Sequence, residues 1–220
     1  MAWAWSEAER QLIRELIRVG QLLFKRELTW GTAGNLSARV DAHYCVITGA
    51  GTVLEELSED DFARAAIDGS DFDGPTRPSS ELKVHQQVYL ARPDAGAVLH
   101  ASPFFTTLAA STGLPLNTRL TPESMVYVGE VHRVPYIHAG SAALAEAVGR
   151  AAPGASAIIM ENHGMVAIGP SVKRAFATLE TLEVHCKYEV WARAAGLSLN
   201  YLAPEVAAEY VAQSAYKLRQ

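Results

Sequence analysis

The segment that decides the fold is Ala95-Gly-Ala-Val-Leu-His-Ala-Ser-Pro103. Its apolar run up to His100 predicts a buried strand, and the residues that follow, 103–111, predict a helix. Side chains two apart on a strand point to the same face, so we expect His100 and Ser102 to face one pocket. A hydroxyl is a poor transition-metal ligand compared with an imidazole. The function therefore depends on whether the surroundings of His100 can bind a metal ion without help from position 102.

The other segments predict a mixed sheet with helices on both faces, which is an α/β fold. Ser6-Glu-Ala-Glu9 is a capping box followed by apolar residues at helical spacing, and it predicts a helix to about residue 28. Further helices are predicted after Ser58, from Ser79 or Ser80 to residue 91, and over residues 141–152, 171–195 and 204–214. Short strands are predicted over residues 36–40, 44–48, 131–137, 155–160 and 165–168.

Length and composition limit the class of protein. At 220 residues, the chain is expected to form one domain over residues 1–220, and an apolar fraction of 49% is typical of a globular protein. The formal net charge of −5 gives no basic surface for nucleic acid and does not favour an anionic membrane. The N-terminus has no signal-peptide pattern, and Cys45 and Cys186 lack metal-type spacing. We therefore expect a cytoplasmic protein with two reduced thiols and with neither nucleic acid nor membrane as a partner.

Two polar segments have the composition of anion-binding sites. Gly31-Thr-Ala-Gly-Asn-Leu-Ser37 could offer backbone N–H groups and an amide, although glycine-rich turns are most often only turns. Pro78-Ser-Ser-Glu81 places two hydroxyls at a predicted helix start, which is equally typical of an ordinary helix cap. Both interpretations stay open on the pattern alone.

Histidines and a carboxylate fall at the ends of predicted elements. Glu81 could be a general base or a ligand, and His85, one helical turn later, is interpreted as a core or supporting histidine. His100 and His163 follow or end predicted strands, and two histidines with one carboxylate make a transition-metal set. Spacing alone does not show that the three side chains meet. His185, inside the long C-terminal helix, is assigned to a solvated or packed helix surface.

Six segments together resemble, in this order, the class II aldolase family of L-fuculose-phosphate aldolase, L-ribulose-5-phosphate 4-epimerase and adducin head domains. The resemblance runs from the first predicted helix to Tyr216, almost the whole chain, and the combined order of the segments is far more specific than any single motif. The segments are Gly31-Thr-Ala-Gly-Asn-Leu-Ser-Ala-Arg39, Val46-Ile-Thr-Gly-Ala-Gly51, Pro78-Ser-Ser-Glu81, Arg92-Pro-Asp94, Ala97-Val-Leu-His100 and Glu161-Asn-His-Gly164.

The resemblance implies a three-layer α/β/α sandwich with a central mixed, largely antiparallel sheet. It further implies a homotetramer with active sites between subunits, and one divalent metal, normally zinc, on three histidines. Two of those positions are His100 and His163 here, and the third is Ser102. The acid/base glutamate corresponds to Glu81, and a proton-donating tyrosine of the C-terminal tail corresponds to Tyr216. The implied substrate pocket consists of Gly34, Asn35, Ala50, Gly51, Ser79 and Ser80.

Two departures from the family pattern affect the expected chemistry. Ser102 removes one imidazole, which should weaken zinc binding; His138, Glu81 or water could fill the gap, and oxygen ligands would favour manganese or magnesium. Ala50 replaces a hydroxyl that usually contacts phosphate, so we leave open whether the substrate carries phosphate.

The resemblance implies a metal-dependent lyase that cleaves a small, sugar-like hydroxy-carbonyl substrate by an aldol reaction through a metal-bound enediolate. Glu81 would move the proton at the enediolate carbon, for which we expect a raised pKa in a dry pocket. Decarboxylation of a small hydroxy or keto acid is the first alternative, and a non-catalytic adducin-like scaffold is the second. Glu81 disfavours the epimerase branch, which carries aspartate at that position. Arg119 and Glu123 receive no role from the sequence.

Overall fold

An eight-stranded sheet forms the centre of the computed structural model, which describes residues 3–214. Along the chain, the strands are β1 (Asn35–Arg39), β2 (Tyr44–Thr48), β3 (Phe62–Ala66), β4 (Phe72–Asp73), β5 (Ala97–Ala101), β6 (Val131–Val134), β7 (Ala157–Met160) and β8 (Gly164–Gly169). Their order in the sheet is β4-β3-β2-β1-β5-β8-β7-β6. All neighbouring pairs are antiparallel except β6 and β7, which run parallel. The expected mixed, largely antiparallel sheet is therefore confirmed.

Helices cover both faces of this sheet. They are α1 (Glu7–Lys25), α2 (Leu82–Ala91), α3 (Phe104–Thr112), α4 (Ala142–Ala151), α5 (Val172–Ala194) and α6 (Pro204–Gln213). Helices α1, α3 and α5 bury their apolar residues in one core, and α2 and α4 bury theirs in a second core. The three-layer α/β/α arrangement is therefore confirmed.

Strand β5 shows how the alternation of a strand places the candidate site. Val98 packs into the core beneath α2 and α4, whereas Leu99 packs into the core beneath α1, α3 and α5. His100 consequently lies on the same face as Val98, the face covered by α2. On the neighbouring strand β1, Asn35 is the register partner of His100. The end of β5, the start of β1 and the start of α2 therefore meet.

Several predicted elements are confirmed, and the caps explain their starts. The capping box of Ser6 and Glu9 is present at α1, and the side chains of Ser141 and Ser171 accept backbone N–H groups at the starts of α4 and α5. Within residues 3–214, we find no helix long and apolar enough to cross a membrane.

Other boundaries were predicted wrongly. Ser58 starts a single 3-10 turn rather than a helix, and the chain then enters β3, whose alanine-rich sequence gives little strand signal. Helix α2 has Glu81 as its N-cap residue, while Ser79 Oγ accepts the Glu81 N–H at 3.2 Å. Strand β6 ends before Pro135, which has no N–H to continue the ladder.

Candidate metal and active site

Three elements bring Glu81, His100 and His163 together. Glu81 caps α2, His100 lies near the end of β5, and His163 lies in the turn between β7 and β8. One Glu81 carboxylate oxygen is 3.2 Å from His100 Nε2, and the other is 3.4 Å from His163 Nε2. The candidate ligand atoms of the three residues all lie within 4.8 Å of one another. We call these three residues the site group.

The chemistry of the site group fits a divalent metal. His100 Nδ1 donates to the carbonyl oxygen of Met165 at 2.9 Å, which orients the ring so that Nε2 faces Glu81. Burial and the neighbouring His100 lower the pKa of His163, against the opposing charge of Glu81, which favours the neutral, ligating imidazole. Buried Glu81 Oε1 has no hydrogen-bond partner among the described residues. Two imidazoles and one carboxylate with unfilled acceptor capacity form a typical transition-metal set.

The pKa of Glu81 differs from our expectation. Burial raises the pKa of this carboxyl group, but the charge of His100, the hydrogen bond from Asn35 and the charge of His163 together outweigh burial and lower it. Asn35 Nδ2 donates to Glu81 Oε2 at 2.9 Å. The expected raised pKa was therefore wrong, because the pocket is buried but not apolar. Glu81 is held as a carboxylate.

Ser102 faces the same cavity as His100 but lies outside the site group. Its hydroxyl donates to the backbone carbonyl oxygen of His163 at 3.0 Å. A Cβ atom at the next residue, Gly164, would lie 2.6 Å from the Ala101 carbonyl oxygen, so only glycine permits this close approach of the turn to β5. Ser102 therefore holds the turn that carries His163.

A cavity of about 430 Å³ opens next to the site group. All the predicted pocket residues line it, namely Gly34, Asn35, Ala50, Gly51, Ser79 and Ser80. Thr32, Thr52 and Gly140 also line it and were not predicted. Thr32 and Thr52 lie in or next to the glycine turns that contain the predicted residues, and this proximity in the sequence could have indicated that they line the same cavity. No lysine or arginine is among the lining residues in the described part of the chain, so an anionic group here would be held by hydroxyls and backbone N–H groups.

Three other candidate residues, His138, Arg119 and Glu123, lie away from the site group. His138 is exposed and hydrogen-bonded through Nδ1 to the Tyr136 hydroxyl at 3.1 Å, so the structure does not bring it to the site group. Arg119 donates to the Leu202 carbonyl oxygen at 3.0 Å, and Glu123 is exposed before a π-helical turn; neither lines the cavity. Tyr216 lies outside the described residues. His85 is fully buried, as expected for a supporting histidine, and burial together with the charge of His100 lowers its pKa to about 3, against the opposing charge of Glu81.

The sequence model of one family, described as "Class II Aldolase and Adducin N-terminal domain", matches residues 14–190. This chain belongs to the class II aldolase family. The six sequence segments, the strands of the sheet and the site group all lie within the matched residues.

Relatives of this class II aldolase chain include enzymes with two different activities. A 3-oxo-tetronate 4-phosphate decarboxylase of Pectobacterium atrosepticum is 30% identical over 82% of this chain and 84% of that protein. An L-fuculose phosphate aldolase of Methanocaldococcus jannaschii is 30% identical over 79% of this chain and 93% of that protein. The crystal structure of YgbL from Klebsiella pneumoniae, described as an aldolase, epimerase or decarboxylase, has a TM-score of 0.85 and 29% identity and covers 93% of this chain and 99% of that one.

These relatives place the chain among the enzymes of the family. The activities named for the two sequence relatives are lyase reactions, and the site group that could hold a metal ion is present here. The adducin-like scaffold alternative receives no support from them.

Proposed function

We propose that this protein is a metal-dependent carbon–carbon lyase that performs aldol cleavage on a small, sugar-like hydroxy-carbonyl substrate. The observation that carries the proposal is the site group itself: a carboxylate within 3.4 Å of two imidazole nitrogens, beside a cavity lined by hydroxyls and glycines. Such a cavity is large enough for a small metabolite and offers different chemistry at its two ends.

At the inner end, His100, His163 and Glu81 would hold the metal ion. When bound there, a divalent ion supplies Lewis-acid polarisation of a carbonyl group. Glu81 is ionised at neutral pH because its pKa is lowered. In the direction of condensation it can take a proton from the carbon beside the carbonyl, and in the direction of cleavage it returns that proton to the same carbon. Following the family pattern, Tyr216 is proposed to donate a proton to the aldehyde oxygen in condensation and to take the proton of the substrate hydroxyl in cleavage.

At the outer end, the substrate's anionic group would be held without a cation. Gly34 and Gly51 belong to turns with positive φ angles, Ser79 and Ser80 precede α2, and all four residues line the cavity, where their backbone and hydroxyl groups would hold the anion. Fixing the substrate at both ends holds the breaking bond next to Glu81, which lowers the entropic cost of reaction. Ala50 contributes only a methyl group here, so the proposal covers both phosphorylated and unphosphorylated substrates.

Decarboxylation of a small hydroxy or keto acid is the second candidate. It is favoured by the relative from Pectobacterium atrosepticum, whose named activity is decarboxylation of a tetronate phosphate. The reaction also breaks a bond beside a carbonyl, and the Glu81 carboxylate, after it takes a proton from water, would pass that proton to the carbon that loses carbon dioxide.

For the metal we propose zinc first, because two imidazoles are present, with manganese or magnesium as the alternatives that the missing third imidazole favours. We also propose the homotetramer of the family. Trp30, Phe104 and Trp191 support self-association, since each is more than half exposed. A cytoplasmic location is proposed because both cysteines are unpaired and buried.

A substrate panel tests the proposal. Small hydroxy-ketones and hydroxy-acids, with and without a terminal phosphate, are incubated with the zinc-, manganese- or magnesium-loaded protein, and both aldehyde and carbon dioxide are measured. The proposal expects aldehyde release that is lost in Glu81→Gln. Carbon dioxide release without aldehyde would establish the second candidate instead, and release of neither product from the whole panel by metal-loaded protein would contradict both.

A further inference from the structure

A continuous chain of buried polar side chains leads from the interior of the protein to Glu81. The Tyr89 hydroxyl lies 2.8 Å from Ser37 Oγ, which lies 2.7 Å from His85 Nδ1. His85 Nε2 lies 2.6 Å from Asn35 Oδ1, and Asn35 Nδ2 lies 2.9 Å from Glu81 Oε2. All five residues are less than 10% exposed, so water does not substitute for these contacts. We call Tyr89, Ser37, His85 and Asn35 the buried relay.

The local structure explains why these side chains line up. Glu81, His85 and Tyr89 are four residues apart at the start of and along α2, so they share one face of that helix. Asn35 and Ser37 are two residues apart on β1, so they share the face of the sheet that α2 covers. One row of a helix therefore lies against one row of a strand, and the polar atoms alternate between them.

The direction of each hydrogen bond follows from the amide of Asn35. Its Nδ2 donates to Glu81 Oε2, so its carbonyl oxygen faces His85 and accepts from it. His85 Nε2 must then carry the proton, which leaves Nδ1 as an acceptor for the Ser37 hydroxyl. The Ser37 hydroxyl has a single proton. Its oxygen lies 2.7 Å from His85 Nδ1 but 3.5 Å from the Val98 carbonyl oxygen, so the hydroxyl donates to His85. Tyr89 donates to Ser37, so every donor points toward Glu81.

We propose that His85 is a positioning residue that, through the buried relay, fixes the amide of Asn35 in the orientation that donates to Glu81. The amide of an asparagine can rotate by half a turn at little steric cost, because its nitrogen and oxygen are nearly the same size. The rotated form would face Glu81 with a carbonyl oxygen and repel it. Only a partner that donates to Asn35 Oδ1 excludes that form, and His85 Nε2 is that partner.

The effect on turnover rests on the proposed function, whereas the protonation of His85 does not. With the relay intact, the Glu81 carboxylate is held beside His100 and His163 before any substrate enters. Without it, the carboxylate loses a fixed donor, and both the metal affinity and kcat should fall. KM should change less than kcat when His85 is replaced, because His85 itself is not among the residues that line the cavity.

The first test is the protonation of His85 in the wild-type protein. Long-range ¹H–¹⁵N correlation spectra of protein labelled in histidine resolve the ring nitrogens, and the spectrum of His85→Gln assigns the signals of His85 by their loss. The proposal expects a neutral ring with protonated Nε2 and bare Nδ1 at pH 7. A ring protonated at Nδ1, or at both nitrogens, would overturn the proposal whatever the activity of the protein.

The second test compares two variants of similar volume. His85→Leu removes both hydrogen bonds, and we expect zinc affinity and kcat each to fall about tenfold, in the range typical of partners that orient metal ligands. Gln can donate with its NH₂ group and accept with its oxygen, so His85→Gln should keep most of both quantities. Equal values in the two variants and the wild type would contradict a positioning role. If His85→Leu does not fold, Tyr89→Phe replaces it as the test, because it removes only the terminal donor of the relay. We expect Tyr89→Phe to lower zinc affinity by less than about tenfold. Unchanged zinc affinity in Tyr89→Phe, together with a His85 ring protonated at Nδ1, would overturn the proposal.

These tests separate the two proposals. A His85 ring with the expected protonation in a protein that cleaves no substrate would leave the relay standing and remove the lyase function. An active lyase whose His85→Leu variant has the kcat of the wild type would support the lyase function and contradict the positioning role of His85.

Discussion

Two groups of buried histidine and glutamate side chains in this protein have very different surroundings. The site group of Glu81, His100 and His163 comes from three separate elements and borders a cavity. The second group, which we call the helix pair, is His185 and Glu189 on α5, with Nε2 and Oε1 3.6 Å apart and each residue only 1% exposed. Residue types that could bind a metal are therefore present twice, but only one group has a third ligand and an opening.

Protein groups satisfy the glutamate of the helix pair, whereas neither ring nitrogen of His185 has a hydrogen-bond partner among the described residues. The Tyr201 hydroxyl donates to Glu189 Oε1 at 2.7 Å, and Arg193 Nε lies 3.9 Å from the other oxygen. Burial lowers the pKa of His185, against the charge of Glu189, so its ring stays neutral. The comparison teaches that a histidine and a glutamate one helical turn apart are most easily explained as packing, whereas convergence of distant segments on a cavity indicates chemistry.

The largest expected difference between the two groups is in catalysis. Glu81→Gln removes the proton-transferring carboxylate of the site group and should lower kcat by about 10²–10⁴-fold. Glu189→Gln keeps the shape and one acceptor for Tyr201 and should leave kcat unchanged. Steady-state kinetics on the best substrate of the panel measure both. A similar loss of kcat in the two variants would contradict the distinction between the groups.

The second expected difference is in stability. Tyr201→Phe leaves one oxygen of buried Glu189 without its donor, which should lower the free energy of unfolding by about 1–3 kcal/mol. Its bound metal should be unchanged, because Tyr201 contacts no member of the site group. Urea denaturation and metal analysis of the same preparation check this pair of results. Loss of metal in Tyr201→Phe would mean that the two groups are coupled.

A smaller effect is expected at the edge of the site group. Ser102→Ala removes the hydrogen bond to the His163 carbonyl oxygen and should weaken zinc binding about tenfold, as for other residues that orient ligands. Ser102→His offers a third imidazole, and stronger zinc binding in that variant would show that the position can still ligate. Competition with a chromogenic chelator measures both variants. Equal zinc affinity in the wild type and Ser102→Ala would remove the holding role assigned to Ser102.

The smallest effect concerns pH and the helix pair. A histidine whose pKa is lowered in the folded state binds fewer protons there than in the unfolded chain. Its contribution to stability is therefore complete above its unfolded pKa of about 6.5 and is lost as pH falls below that value, by at most about 1.4 kcal/mol per pH unit. His185→Gln should flatten the decline in the free energy of unfolding between pH 7 and pH 5. An unchanged slope would show that His185 is not kept neutral by burial.

The sequence predicted the fold well where local signals were strong. Ser6, Ser141 and Ser171 marked helix starts correctly, because their hydrogen bonds are local. Strand β3 was missed, since Phe62-Ala-Arg-Ala-Ala66 has few β-branched residues and becomes a strand only through pairing with β2. Whether such a segment forms a strand is decided by its burial and by the strand with which it pairs, rather than by its residue types.

The candidate site was predicted in its residues but not in its electrostatics. Glu81, His100 and His163 could be named from their positions at element ends, yet their distances depend on the register of the sheet. The lowered pKa of Glu81 depends on Asn35, 46 residues away in the chain, and no local pattern reports that contact. The contact of the Ser102 hydroxyl with the His163 carbonyl oxygen, across 61 residues, was equally inaccessible.

The most direct test of the account is the metal content of chelator-free protein after equilibrium dialysis against zinc or manganese, measured by elemental analysis for the wild type, His163→Ala and His185→Ala. The account predicts about one divalent ion per chain in the wild type and in His185→Ala, and loss of that ion in His163→Ala. A wild-type protein that binds no ion, or a His163→Ala variant that keeps it, would contradict the assignment of the site group as the metal centre.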